Sequence, residues 1–492
     1  MSNFANAMRN KSNWTTTQNG AAVRSTTGSS LLNLFARIGG MRNADEAEFI
    51  RMWRDARNEN EELADNLVLY SRSIRDGGLG ERRISRILLK ELAKLNPDKI
   101  CRNFDTIVEA GRWDDLYCFE GTKRWKPALV YMRDQFKKDI IDMSNNKPIS
   151  LLAKWLKSSN TSSIESRRLA RETYTAFGIS EKKYRKTLSA LRKYLDVVEK
   201  KMSAQEFAAI DYEKVPSLAM TRYRSAFGKH DFERFDTYIK SVVKGNAKIN
   251  SSTLYPYDLV KPYTDRWGYW NRNITGDPVI EAQWKALPNY VDGEYDVVCL
   301  CDVSGSMMRQ PMATSIGLGI YFAEHNKGAY KNLVMSFTDV PSFYELNPND
   351  TLSTRVSQVM SHEGFNTNLD LAFKEIYNMA RRTHDVPKAL IVISDGELDS
   401  YAQRLERNGS SYEDIAEKWQ AEYRSIGLEA PKLIMWNVNS FGNRFITGME
   451  NRGVAYVSGS SAATFKELLT LITSDAYSAM IEILSQPAFC WK

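Results

Sequence analysis

From Ser29 to about Lys244 apolar residues recur every three to four positions, as one buried helix face requires. The groups are Leu31, Leu32, Leu34, Phe35 and Ile38; Phe49, Met52 and Trp53; Leu63, Leu67, Val68 and Tyr70; and Ile84, Ile87, Leu88 and Leu92. Breaks fall at Gly39-Gly40, Gly77-Gly78-Leu79-Gly80, Asn96-Pro97 and Gly111. Pairs of short helices, each with a stripe too narrow to fold alone, predict an α-solenoid of HEAT-like kind, although no strict repeat period runs through it. A longer amphipathic helix is predicted over 181–201, behind the cap candidate Ser180, and another over 231–243.

After Gly293 the pattern changes. Short apolar runs at Tyr295–Cys301, Asn332–Phe337, Ala389–Ile393, Lys432–Val438 and Val454–Val457 alternate with helix-like stretches at Met312–Glu324, Leu369–Arg381, 412–425 and from about Ala462. That alternation predicts a mainly parallel, Rossmann-like sheet covered on both faces. Between the two patterns, residues 245–292 hold Pro256, Pro262, Pro278 and Pro288 among several aromatics, and read as a connection with little regular structure. Residues 1–27, rich in Ser, Thr, Asn and Gly, read as a flexible tail. The expected layout is therefore multidomain, α followed by α/β: tail 1–27, helical module 28–244, connection 245–292, α/β domain 293–492.

A length of 492 residues suits two or three domains, and 43% hydrophobic with 26% charged residues is the composition of a soluble globular protein. No apolar stretch is long enough to span a membrane, and the first residues lack a signal-peptide core. Five cysteines (Cys101, Cys118, Cys299, Cys301, Cys490) form no CxxC pair, so reduced thiols in a cytoplasmic protein are expected, with Cys299 and Cys301 as small core residues. The net charge of +7 hides an asymmetry: residues 1–250 carry 46 basic and 31 acidic side chains, residues 251–492 carry 21 and 29. A basic half beside an acidic half suggests a polyanion-binding module joined to something else, although a solvated helical surface gives the same count.

The α/β half carries the sharper chemistry. Asp302-Val303-Ser304-Gly305-Ser306 follows the first apolar run, Thr367 precedes a helix, and Asp395 follows a later run. Open α/β sheets bind ligands at the carboxyl ends of their strands, so Asp302, Ser304, Ser306, Thr367 and Asp395 are expected to face one point. An all-oxygen set selects a hard cation, with Mg²⁺ expected first and Mn²⁺ or Ca²⁺ as alternatives, and leaves room for water or a partner's acidic side chain. The same residues could simply cap helices and turn strands. All five together resemble the metal-ion-dependent adhesion site (MIDAS) of von Willebrand factor A (vWA) domains. A haloacid-dehalogenase-type phosphatase would want a second Asp where Ser304 stands. The histidines (His230, His325, His362, His384) are scattered, and no Walker or Rossmann glycine loop is present. The expectation is a protein that is not an enzyme.

Several strings in the first half resemble a vWA-coupled, TROVE-like family with members in plants and viruses. They are Arg75 to Arg82 (RDGGLGER), Gly111 to Leu116 (GRWDDL), Leu151 to Leu156 (LLAKWL), Tyr184 to Arg192, and Val215-Pro216-Ser217. Helices followed by a MIDAS domain is also the layout of the Ro autoantigen, in which helical repeats form a ring closed by the vWA domain. The resemblance implies an RNA-binding ribonucleoprotein scaffold that takes single-stranded ends or a structured small RNA. Candidate phosphate contacts are Arg75, Arg82, Arg83, Arg112, Lys154, Lys182, Lys183, Arg185, Lys186 and Arg192. Taken singly, each is better explained by a surface charge or an internal ion pair; Arg75 and Arg82 flank Asp76 and Glu81, and Trp113 and Trp155 sit in apolar patterns. The alternatives are a MIDAS-mediated protein-interaction module and a structural assembly protein that binds no RNA.

Overall fold

Strand-forming runs rich in Val, Ile and Leu build one six-stranded sheet in the computed structural model of the chain. The structure describes residues 13–74, 76–264, 276–291, 293–337, 341–361, 368–398, 412–440 and 442–492. The strands are β3 (Val297–Asp302), β4 (Leu333–Phe337), β5 (Phe343–Glu345), β6 (Ala389–Ser394), β7 (Lys432–Asn437) and β8 (Val454–Ser458), in the order β5-β4-β3-β6-β7-β8. All neighbours are parallel except β5, which pairs antiparallel with β4 at one edge. β3 and β6 are buried along their whole length, which is why they read as unbroken apolar runs rather than alternating ones. Cys299 and Cys301 are buried on β3 and serve as core.

The chain moves outward from β3 to β4 and β5, then returns to β6 and moves the other way. The switch point therefore lies between β3 and β6, at whose ends Asp302 and Asp395 stand.

The chain forms two compact units, one of residues 1–84 with 251–489, the other of 85–250 with 490–492. Residues 28–84, placed by periodicity with the helical module, pack in the sheet's unit: helix Ala476–Leu484 lies against Glu61–Arg72 and β8. An amphipathic stripe shows that a helix has a buried face but not what covers it. The approach is close, because a Cβ on Gly39 would meet Gly459 Cα at 2.5 Å.

Two stretches expected to be irregular hold regular elements among their described residues. Residues 13–27 hold a hairpin of β1 (Trp14–Thr16) and β2 (Ala22–Arg24), its second strand bridged to Phe445. Within 245–292, helices Pro256–Val260 and Pro278–Lys285 each open on a proline. Proline breaks a helix interior but suits its first turn, where no amide partner is lost. Pro256 sits against Gly317 of helix Gln310–His325, where an added Cβ would lie 3.0 Å from it.

Every regular element among the second unit's described residues is a helix. The rings of Phe136, Phe177 and Tyr184 pack together in its core, and Tyr184 donates to the Lys157 carbonyl at 2.7 Å. The helix expected over 181–201 ends at Tyr194. Asp196 turns left-handed (φ 51°), a conformation Asp tolerates better than most residues, and a second helix runs Val198–Ser203. No helix among the described residues is long and apolar enough to cross a membrane.

Candidate functional site

Asp302 closes β3 fully buried, and the neighbouring register brings Ser394 of β6 beside it. Asp302 Oδ1 accepts the Ser304 amide at 2.9 Å and Oδ2 accepts the Ser394 hydroxyl at 2.6 Å. Gly305–Met307 then forms a single 3₁₀ turn, which leaves Ser306 exposed with its Oγ 3.1 Å from that of Ser304. Beyond the turn, Arg309 takes a positive φ of 72°, a sparsely populated conformation for a side chain-bearing residue. Asp395 follows β6 at 3% exposure; its Oδ1 accepts the Glu397 amide at 3.1 Å. Among the described residues its Oδ2 is buried with no hydrogen-bond partner. Thr367 lies outside the described residues.

Burial, and then the nearby Asp302 charge, push the Asp395 carboxyl up to about 7, against the opposing pull of the Ser306 hydroxyl. Two carboxylates forced together at a buried strand edge, one with an unpartnered oxygen, form a set that a hard cation fits. Its donors are oxygens alone. Among the described residues no cluster of three or more His, Cys, Asp or Glu is gathered as a metal site, so the candidate rests on two acids and the serine hydroxyls.

Sequence reasoning missed the supports. Ser394 also accepts the Gly396 amide at 3.1 Å, and so joins the two acidic loops. Glu397, buried at 2% exposure, pairs with Arg444 and accepts the Gln18 amide at 2.7 Å. A hydroxyl beside an acid at a strand end was a weak signal for the first. Nothing local announces the second, because Gln18 is 379 residues away.

The basic candidates sort into two kinds. Several are committed to the protein. Arg83 donates to the Ala44 carbonyl at 3.0 Å and covers the Phe49 ring. Arg112 makes two 3.0 Å bonds to Asp114 and lies 3.9 Å from the Trp155 ring centre, with Lys154 near the same ring. Arg192 donates to the carbonyls of Ala153 and Leu156 and to Ser158 Oγ, each at 2.8 Å. Trp113 is buried and Trp155 half-buried. Arg82 is exposed at the start of its helix, and Arg75 lies outside the described residues. In the glycine turn before Arg82 the amides of Leu79, Gly80 and Glu81 are taken by the carbonyls of Tyr70, Ser73 and Ser71, so these three do not face an anion.

The second kind lines a groove. Lys182, Arg185 and Lys186 project from helix Glu181–Tyr194 into an open cavity of about 950 Å³, with Lys200 beside them and Ser158–Asn160 opposite. Arg192 forms part of its wall, and Lys183 is exposed next to it. Among the described residues no acidic side chain pairs with Lys182, Arg185 or Lys186, and Glu181 is the one acid among the lining residues. Lys200, which sequence reasoning left out of its candidates, donates to Ser189 Oγ at 3.0 Å.

Residues 149–292 match the model of a domain of unknown function (DUF2828), and residues 296–483 match that of another domain of unknown function (DUF7788). The chain is 27% identical over 513 aligned residues to an uncharacterized protein of Acanthamoeba polyphaga mimivirus, covering 95% of this chain and 86% of that protein. The crystal structure of the Ro (RSR) protein of Deinococcus radiodurans aligns over 92% of each chain with a TM-score of 0.36 and 14% identity.

Proposed function

We propose that this protein is an RNA-binding ribonucleoprotein scaffold, with a HEAT-like helical unit that holds RNA and a vWA-like unit that carries a divalent-cation contact site. The groove carries the reading. Lys182, Arg185 and Lys186 face a common open space without acidic partners, whereas Arg83, Arg112 and Arg192 are spent on internal bonds. Unpaired cations around a groove store the electrostatic free energy that phosphates and released counterions would collect. The lining has hydroxyls and an amide but no aromatic ring, so it suits the sugar–phosphate backbone rather than stacked bases. The basic first half and its TROVE-like strings support the same reading. Binding, with no catalytic step, is the activity assigned.

Fluorescence anisotropy with a labelled single-stranded 20-mer RNA tests it. The wild-type chain is expected to bind at 50 mM KCl and to weaken steeply by 200 mM. Replacing Lys182, Arg185 and Lys186 together by Ala is expected to flatten the log–log salt slope by ~2. Absence of binding at low salt by folded protein would sink the reading.

A second reading concerns the sheet edge. Asp302, Ser304, Ser306 and Asp395, with Thr367, would hold Mg²⁺ (Mn²⁺ or Ca²⁺ as substitutes), and a partner's acidic side chain would complete its sphere. Exposed Ser306 and Met308, the latter 42% exposed, favour a protein contact there. A bound cation would supply charge for that carboxylate. Capture of a partner should then fail with EDTA and in Asp302→Ala, and capture that survives both overturns it.

A further inference from the structure

The N-terminal hairpin ends against the loop that carries Asp395. Between β1 and β2, the turn Thr17–Gly20 closes on itself, with the Gly20 amide on the Thr17 carbonyl at 3.1 Å and the Ala21 amide on Thr17 Oγ1 at 2.9 Å. The same turn reaches across to the loop after β6. Thr17 Oγ1 donates to the Leu398 carbonyl at 2.7 Å, the Gln18 amide to Glu397 Oε2 at 2.7 Å, and Asn19 Nδ2 to the Glu397 carbonyl at 2.8 Å. The remaining Glu397 carboxylate oxygen pairs with Arg444, whose neighbour Phe445 is bridged to Arg24 of β2 in both directions, at 2.7 and 2.9 Å. The hairpin therefore holds Glu397 by its side chain, by its carbonyl and through Arg444.

Glu397 in turn holds Asp395. Its amide donates to Asp395 Oδ1, which leaves Oδ2 as the oxygen without a partner. A rotation of the Glu397 peptide would release Oδ1 and let the carboxylate turn. Outer-shell bonds of this sort fix the orientation of a ligating carboxylate.

We infer that the hairpin is a strap that sets the cation affinity of the sheet edge, with Thr17, Gln18 and Asn19 as positioning residues acting on Asp395 through Glu397. The inference rests on the cation reading above. It makes residues 17–19, 283 positions or more before Asp302, part of the site's support. Linkage then works in both directions: if the strap favours the cation, the cation stabilises the strap by the same factor.

The full chain, stripped with EDTA and titrated with Mn²⁺ by isothermal calorimetry, tests this. Asn19 is exposed, so Asn19→Ala is expected to leave folding intact while weakening Mn²⁺ binding; Thr17→Val with Asn19→Ala is expected to weaken it about tenfold. Hydrogen exchange supplies a readout that simple packing would not move: Mg²⁺ should slow exchange of the amides at 17–24, although none of those residues is a ligand. If wild type binds Mn²⁺ and both variants bind within twofold of it, with hairpin exchange indifferent to Mg²⁺, the strap is overturned and the cation site stands. If wild type binds no Mn²⁺, the cation reading falls and takes the strap with it.

Discussion

Ser394 donates its hydroxyl to Asp302 Oδ2 at 2.6 Å while accepting the Gly396 amide at 3.1 Å, so one side chain ties the ends of two adjacent parallel strands at the switch point of the sheet. The bond to Asp302 is buried and assisted by a carboxylate's charge. Ser394→Ala should lower stability to urea by ~1.5–3 kcal/mol and weaken Mn²⁺ binding about tenfold, whereas Ser394→Thr, which keeps the hydroxyl, should restore most of both. Equal Mn²⁺ affinity in Ser394→Ala and wild type would show that the hydroxyl only packs the seam.

The crowding of Asp302 and Asp395 has a pH signature. Burial and the Asp302 charge raise the folded Asp395 pKa to about 7, so the folded chain keeps a proton there that the unfolded chain releases in the ordinary carboxylate range. The folded state thus binds more protons between roughly pH 4 and 7, and this group's contribution to stability falls as pH rises through that window. A cation favours the ionised form and reverses the loss. Melting followed by scanning fluorimetry in EDTA and in Mg²⁺ checks the sign: the Mg²⁺ increment should be larger at pH 8 than at pH 5.5. Asp395→Asn should abolish the increment and raise the EDTA melting temperature at pH 8 by roughly 2–4 °C. Equal increments at both pH values in wild type count against a coupled acidic pair.

The strand-end positions of both acids were legible because each closes or follows a run of β-formers. The strands themselves were equally plain: Val297–Asp302 and Ala389–Ser394 are apolar throughout because both faces of the sheet are covered. The helices of 30–72 were legible as helices but not as members of the sheet's unit, since their stripes say nothing about what lies across them. The hairpin was illegible for a stronger reason. Its strands are three residues each, and its order comes from Glu397, Leu398 and Phe445, hundreds of positions away. Thr367 lies outside the described residues, so the fifth expected ligand has no position to compare. Charge pattern found the basic half, but only geometry could separate Arg192, bonded internally, from Arg185, which faces open space.

That separation can be measured. Arg192 spends its guanidinium on three groups of the 153–158 segment, and burial lowers its pKa. Arg192→Ala should destabilise the helical unit by ~2–4 kcal/mol, and Arg192→Lys should rescue little, because an ammonium cannot reproduce three fixed donor directions. At temperatures where the variants stay folded, the salt slope of RNA binding should match wild type, since no phosphate contact is lost. A reduced slope, of the kind expected when Lys182, Arg185 and Lys186 are replaced, would instead place Arg192 on the RNA.

The string Arg75 to Arg82 is where a functional and a structural role are hardest to tell apart by sequence, because glycines beside arginines suit either a phosphate loop or a tight turn. In the structure Gly77 and Gly80 take positive φ (86° and 67°), and a Cβ on Gly78 would stand 2.5 Å from the Ser73 carbonyl oxygen and 2.6 Å from that of Tyr70. Those are backbone atoms of helix Glu61–Arg72 and the residue that caps it, so they cannot swing aside as a side chain could. The turn's amides are meanwhile consumed by the carbonyls of Tyr70, Ser71 and Ser73. Gly78→Ala should therefore cost ~1–3 kcal/mol of stability through overpacking. Wherever the protein remains folded, RNA affinity and salt slope should be unchanged. Loss of RNA binding in folded Gly78→Ala would move the binding surface from the 181–200 groove to this turn.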